Sequence, residues 1–192
     1  MTGWSKAGAA RAFLIVSGLA LAGWAAGPAA ATAAPFVLTS PDYVDDGLMP
    51  QKSAASVRDC GGQNLSPPLR WSNAPAGTAS FAILMVDVDG GKGFGYVHWL
   101  AYGIPAGKTA LREGEASAAA ADIVGGHNMP GTELYFGPCP PPGQAPHHYI
   151  ISLLALDLSP QALKPGLDHA ALVAALKGHS LAATSLVGRY GR

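Results

Sequence analysis

The segment Ser80-Phe-Ala-Ile-Leu-Met-Val-Asp-Val88 constrains the fold more than any other part of the chain. Successive side chains of a strand point to opposite faces, so a strand with water on one side alternates apolar with polar residues. Here both alternating sets are apolar: Phe81, Ile83 and Met85 on one, Ala82, Leu84 and Val86 on the other. Such a strand sits centrally in a sheet covered on both faces. Gly90-Gly91 breaks it. Further strands are predicted at Phe36–Thr39, at Leu69–Trp71 after Pro67-Pro68, at Tyr96–Ile104 before Pro105, and at His148–Leu156. Residues 40–62 read as polar and turn-rich, Ala116–Gly126 as a connection, and Ser180–Tyr190 as extended. One segment reads as a helix: Asp168 can cap it, Leu172, Val173 and Leu176 form an apolar stripe, and Gly178 ends it. Several strands, short turns and one late helix predict a mainly β fold, a sandwich with few peripheral helices.

The first residues carry a different pattern. Lys6 and Arg11 precede an apolar run from Ala12 to Ala26, and small residues lead to Ala31-Thr32-Ala33. A basic start, an apolar middle and an Ala-x-Ala end are the parts of a secretory signal peptide. Gly18, Gly23, Gly27 and Pro28 interrupt the run, which falls short of the roughly 20 clean apolar residues of a membrane span. Residues 1–33 are therefore expected to be removed, leaving 34–192 as one domain in the periplasm or outside the cell, with no integral membrane span. No cysteine follows Ala33 directly, which argues against a lipid anchor, and a lone Arg11 argues against twin-arginine export. Twelve Lys/Arg balance twelve Asp/Glu, with no run of four basic residues, so the basic footprint of nucleic-acid binding and of polybasic attachment to anionic membranes is missing.

Two cysteines, Cys60 and Cys139, make an even count in a chain expected to reach an oxidising compartment, and are expected to pair. Polar groups gather in three places beside apolar strands. Asp87 and Asp89 end the central strand, His98 lies inside the next, and His147, His148 and Tyr149 open a third after Pro140-Pro141-Pro142-Gly143. Singly, each has an ordinary structural explanation. Together, they could converge at one sheet edge, where Asp87 would raise the pKa of two imidazoles that donate to an oxyanion. Gly137 and Gly143 would let the proline loop turn and expose N–H groups as an anion nest.

At these residues a family resemblance emerges. Gly62-Gln63-Asn64-Leu65-Ser66-Pro67-Pro68-Leu69-Arg70-Trp71 resembles the Gly-x-Asn-x-Ser-Pro-x-Leu-x-Trp signature of phosphatidylethanolamine-binding proteins. Asp87-Val88-Asp89 with His98-Trp99 is similar to that family's Asp-Pro-Asp and His-Trp block. The segment from Gly137-Pro138-Cys139-Pro140-Pro141 to His147-His148-Tyr149 is similar to its Gly-Pro-Cys-Pro-Pro and His-Arg-Tyr block. Asn128, Gly131 and Tyr135 keep the spacing to that block, and Gly178-His179 to Gly188-Arg189-Tyr190 resembles the ending of the bacterial and archaeal, Raf-kinase-inhibitor-like branch. The resemblance implies a β-sandwich with an anion pocket formed by Asp87, His98, His147 and Tyr149, completed by the backbone of Gly137, Pro138, Cys139, Pro140 and Pro141. It implies a phosphate or phosphorylated head group as ligand, no cofactor and no catalysis. Two alternatives remain open: an inhibitor of a protease or kinase acting through the pocket rim, and a metal-dependent hydrolase with Asp87, His98 and His147 as ligands.

Three departures from the family pattern matter. Gly90-Gly91 replace an Ala-Pro pair and Val88 a proline, which predicts a looser rim. His148 stands where the family has arginine, which predicts a side chain pointing away from its neighbours and the loss of an outside ion pair. Tyr96 stands where many members carry tryptophan.

Overall fold

In the computed structural model, which describes residues 1–3, 33–57 and 59–192, the Ser80 segment lies in the middle of a six-stranded sheet. Residues 4–32 of the expected signal segment fall outside the described residues. The strands are β1 (Val37–Thr39), β2 (Gly47–Leu48), β3 (Leu69–Ser72), β4 (Ser80–Asp87), β5 (Tyr96–Pro105), β6 (Ala110–Leu111), β7 (Val124–Gly126), β8 (His147–Leu156) and β9 (Ser180–Tyr190), and the helix is α1 (His169–Leu176). The large sheet runs β2-β9-β8-β4-β5-β7, antiparallel except for the parallel β2–β9 pair, and a small antiparallel sheet runs β1-β3-β6.

The two apolar faces of β4 meet different partners. Phe81, Ile83 and Met85 join Trp99, Ile151 and Leu153 in a core with Leu38, Leu69, Trp71 and Leu111 of the small sheet. Ala82 and Leu84 join Leu100, Tyr102 and Leu156 against Leu172 and Leu176 of α1. The architecture is a sandwich with one helix laid on the outer face of its larger sheet. Asp168 caps α1 by accepting a hydrogen bond from the Ala171 N–H at 2.8 Å, and Gly178, at φ +86°, turns the chain out of it. Val173, expected on the apolar stripe, instead faces outward. Strands β2, β6 and β7 were not expected. They pair over only two or three residues, and Gly47, Gly125 and Gly126 offer no side-chain alternation to read.

Cys60 and Cys139 are bridged, with Cα atoms 5.2 Å apart and a sequence separation of 79. The bridge ties the Gly137–Pro141 loop to the segment after β2. Closing a loop of this length is worth about 4–5 kcal/mol in the chain-entropy account. The double variant Cys60→Ser, Cys139→Ser is expected to lower the urea midpoint and to steepen the slope of unfolding, because the released unfolded chain exposes more surface. An unchanged midpoint would mean that the bridge does not constrain the unfolded chain.

Candidate functional site

Strand register brings the polar residues together. Asp87, the last residue of β4, pairs with Tyr149 of β8 on one side and Tyr96 of β5 on the other. Its side chain lies on the same face as Met85, so it closes one end of the inter-sheet core. His147, two residues before Tyr149, is a diagonal neighbour within reach. Its Nδ1 donates to Asp87 Oδ2 at 2.8 Å. Asp87 Oδ1 accepts from the Asp89 N–H at 3.0 Å and the Gly90 N–H at 2.9 Å. Both carboxylate oxygens of this buried group are thus occupied.

His98 reaches the same place through a bulge. Met85 pairs with Trp99, but Val86 pairs with Val97, so His98 is an extra residue in β5. Trp99 belongs to the inter-sheet core while Val97 packs against the helix-side cluster, which strict alternation from Trp99 would forbid. Bulges of this kind re-aim a side chain at a strand end. His98 Nδ1 donates to the Phe136 carbonyl at 2.9 Å, leaving Nε2 as the nitrogen the ring can offer to a ligand. The ring is held edge-on to Tyr149 at 5.2 Å and tilted against Tyr96 at 5.0 Å.

These groups border a cavity of about 600 Å³, lined by Asp87, His98, His147, Cys139, Pro140 and Pro141 together with residues the sequence had not singled out as ligands. Those additions include Lys92, Gln144, Tyr96 and Phe136. Lys92 stands in the glycine loop that replaces the expected prolines. Gln144 follows Gly143, and its Oε1 lies 2.9 Å from His147 Nε2, so both nitrogens of that ring are engaged.

Four expectations need correction. Tyr149 does not form the cavity wall: it is fully buried behind His98, and its hydroxyl has no hydrogen-bond partner among the described residues. Burial, then the Asp87 charge, pushes that phenol far up from its ordinary value. The anion nest shrinks too. The Gly137 N–H donates to Asn64 Oδ1 at 2.8 Å, and Pro138, Pro140 and Pro141 have no N–H, so Cys139 supplies the one remaining donor of Gly137–Pro141. Nor does Asp87 raise His98: burial lowers its pKa, outweighing the Phe136 carbonyl and the Asp87 charge. Last, His148 does point outward, but its Nδ1 lies 2.9 Å from Asp89 Oδ2, and its N–H donates to the same oxygen at 2.7 Å. The outside pair is kept, and hydrogen bonding to His148 lowers the Asp89 pKa.

Residues 39–191 match the family model described as phosphatidylethanolamine-binding protein. The chain belongs to the phosphatidylethanolamine-binding protein family. It is 36% identical over 164 residues to a Mycobacterium tuberculosis protein named "Putative lipoprotein LppC", covering 84% of this chain and 75% of that one. It is 38% identical over 132 residues to the UPF0098 protein YbcL of Escherichia coli K12, covering 66% and 71%. The crystal structure of E. coli YbcL, described as a new member of the mammalian family, superposes with a TM-score of 0.76 at 30% identity, covering 83% of this chain and 99% of YbcL. A homologue from Chlamydia trachomatis, CT736, gives 0.71 at 28% identity, covering 82% and 97%.

Several family motifs prove to be braces for the pocket. Asn64 donates to the Tyr135 carbonyl at 3.0 Å while its Oδ1 holds Gly137, so the Gly-x-Asn signature clamps the loop that carries Cys139. A Cβ at Gly137 would stand 2.1 Å from the Ser53 carbonyl oxygen, so the glycine serves close approach more than freedom to turn. Asn128 donates to the His98 carbonyl at 3.1 Å and the Leu134 carbonyl at 2.9 Å, fastening the next loop to the bulged strand. The rim that replaces the family's prolines is held by Asp87 Oδ1 and by Gly93 and Gly95 N–H groups donating to the Gly90 carbonyl at 2.9 and 3.1 Å.

The lowered pKa of His98 links stability to pH. The unfolded ring takes up a proton near pH 6.5, whereas the native ring resists it, so the unfolded state binds more protons below that value. The stabilisation is present above about pH 6.5 and lost as pH falls toward the depressed native value. Asp89, also lowered, acts only below about pH 4. Unfolding free energy measured by urea titration is therefore expected to decline from about pH 6.5 to 5. That slope should be reduced in His98→Gln, and an equal slope in the variant would contradict the assignment.

Proposed function

We propose that this chain is an exported, non-catalytic binding protein whose pocket holds a phosphate or a phosphorylated head group. The observation that carries the reading is the pairing of a buried Asp87–His147 unit with Lys92 and Cys139 around one cavity of about 600 Å³. That volume suits a small ligand. Asp87 is satisfied by three hydrogen bonds, so its role is to orient His147 and the turn after β4, not to face the anion. Lys92 contributes positive charge at the mouth. His147 Nε2 donates to a phosphate oxygen once the ligand displaces Gln144. His98, with Nδ1 committed to Phe136, offers Nε2 as an acceptor, which suits the hydroxyl of a phosphate monoanion. Export is supported by the pattern of residues 1–33 and by the M. tuberculosis relative named as a lipoprotein.

The hydrolase alternative draws no support from the geometry. Among the described residues no three His, Cys, Asp or Glu side chains lie close enough to hold a metal ion, and the oxygens of Asp87 are spent on backbone and imidazole donors. The inhibitor alternative would rest on the rim loops alone.

Titration calorimetry with O-phosphoethanolamine tests the reading. His147→Ala is expected to weaken binding about tenfold or more, since a hydrogen bond to a charged group contributes roughly 1.5–3 kcal/mol. Gln144→Ala is expected to strengthen binding by about fivefold or more, because the ligand no longer displaces the Gln144–His147 hydrogen bond, worth about 1 kcal/mol or more. Equal affinity in wild type and His147→Ala would remove the pocket as the anion site.

A further inference from the structure

Between Cys139 and β8 the chain forms neither strand nor helix, yet Cys139, Pro140, Pro141 and Gln144 line the cavity. Pro140, Pro141, Pro142 and Pro146 have no N–H, so this stretch cannot fasten itself to a sheet edge by a run of backbone bonds. Arg192 fastens it instead. Its Nε donates to the Pro140 carbonyl at 2.5 Å and its Nη1 to the Asp59 carbonyl at 2.6 Å. Its own carbonyl accepts from the Gly143 N–H at 3.0 Å. Asp59 precedes Cys60 and Pro140 follows Cys139, so the guanidinium holds together the same two segments that the disulfide joins. The preceding residue, Gly191, lies against the same stretch: a Cβ there would stand 3.2 Å from Pro146 Cα.

We infer that Arg192 is a positioning residue of the pocket: it holds the Pro140–Gln144 segment where Gln144 caps His147. The consequence for ligand affinity rests on the phosphate reading above, whereas the positioning itself does not. Gln144 directly follows Gly143, whose N–H Arg192 engages, and its Oε1 lies 2.9 Å from His147 Nε2. Gly143 sits at φ +77°, and a glycine passes readily between this conformation and others. Without a partner for its N–H, the turn that presents Gln144 is free to move. The disulfide fixes Cys139, and Arg192 carries that constraint past it to Pro140 and Gly143. Fixing a long, exposed side chain costs rotamer freedom. Two charge-assisted bonds from one planar fork to two carbonyls offset that cost, and a lysine cannot copy the fork.

Nitrogen-15 NMR of the imidazole rings in the ligand-free protein tests the positioning, and calorimetry with O-phosphoethanolamine tests its consequence. Gln144→Ala supplies the reference, a His147 ring without its cap. Arg192→Ala is expected to shift the His147 ring nitrogens in the same direction as Gln144→Ala and by a comparable amount. Arg192→Lys, which keeps the charge but not the fork, is expected to do the same. In calorimetry, adding Gln144→Ala to Arg192→Ala is expected to change affinity by less than about twofold, in place of the gain of about fivefold or more expected from Gln144→Ala alone. His147 nitrogens left at their wild-type positions in either Arg192 variant would overturn the inference. So would an undiminished effect of Gln144→Ala in the Arg192→Ala background. Shifts spread equally over His127 and His179, which do not line the cavity, would mark a general loosening and overturn it too. A shared His147 shift in a protein that binds no O-phosphoethanolamine would keep the positioning role and overturn the pocket reading instead.

Discussion

A carboxylate buried at the end of the central strand must find partners, because an unpaired buried charge costs several kcal/mol. Asp87 finds three, and each organises a different element. The Asp89 and Gly90 N–H groups fold the chain into the turn that leads to Lys92 and Phe94. The His147 imidazole fixes the start of β8 and one wall of the cavity. The position of Asp87 follows in turn from the apolar residues before it. Ile83 and Met85 anchor β4 between the sheets, Ala82 and Leu84 anchor it under α1, and the strand cannot slip by one residue without turning both sets to the wrong partner. The site is thus placed by the core.

Much of this was legible in the sequence because it rests on side-chain pattern. The doubly apolar β4, the alternation of Tyr149, Ile151 and Leu153, and the Asp168 cap each follow from residue chemistry at fixed spacing. Family motifs located Asp87, His98 and His147, which the structure brings to one cavity. What could not be read depends on backbone register. His98 reaches the cavity because of a single extra residue opposite Met85 and Val86, and strict alternation would have put it on a different face from its partners. The partner of the Gly137 N–H also escaped, because Asn64 lies 73 residues away and its role is visible only once both loops are placed. Gln144 carried one available signal, a hydrogen-bonding side chain three residues before a site histidine. Lys92 carried another, a cation among glycines where a rigid turn was expected.

The two histidines of the pocket share a cavity but differ chemically. His147 is tied to a carboxylate and capped by an amide, while His98 is buried, lowered in pKa, and committed at Nδ1 to a carbonyl. A ligand that satisfies both must accept at one ring and donate at the other. A phosphate monoester monoanion does so through its hydroxyl and a phosphoethanolamine group through its ammonium, whereas an anion with no proton to donate does not.

Nitrogen-15 NMR of the imidazole rings tests this division most directly. Of the six histidines, only His98 and His147 line the cavity. In the ligand-free protein near neutral pH, His98 is predicted to show the neutral tautomer protonated at Nδ1. Addition of O-phosphoethanolamine is predicted to shift the ring nitrogens of His98 and His147 saturably and together, leaving His127, His148, His169 and His179 in place. Shifts confined to those four, or a His98 ring protonated at both nitrogens before ligand is added, would contradict the account.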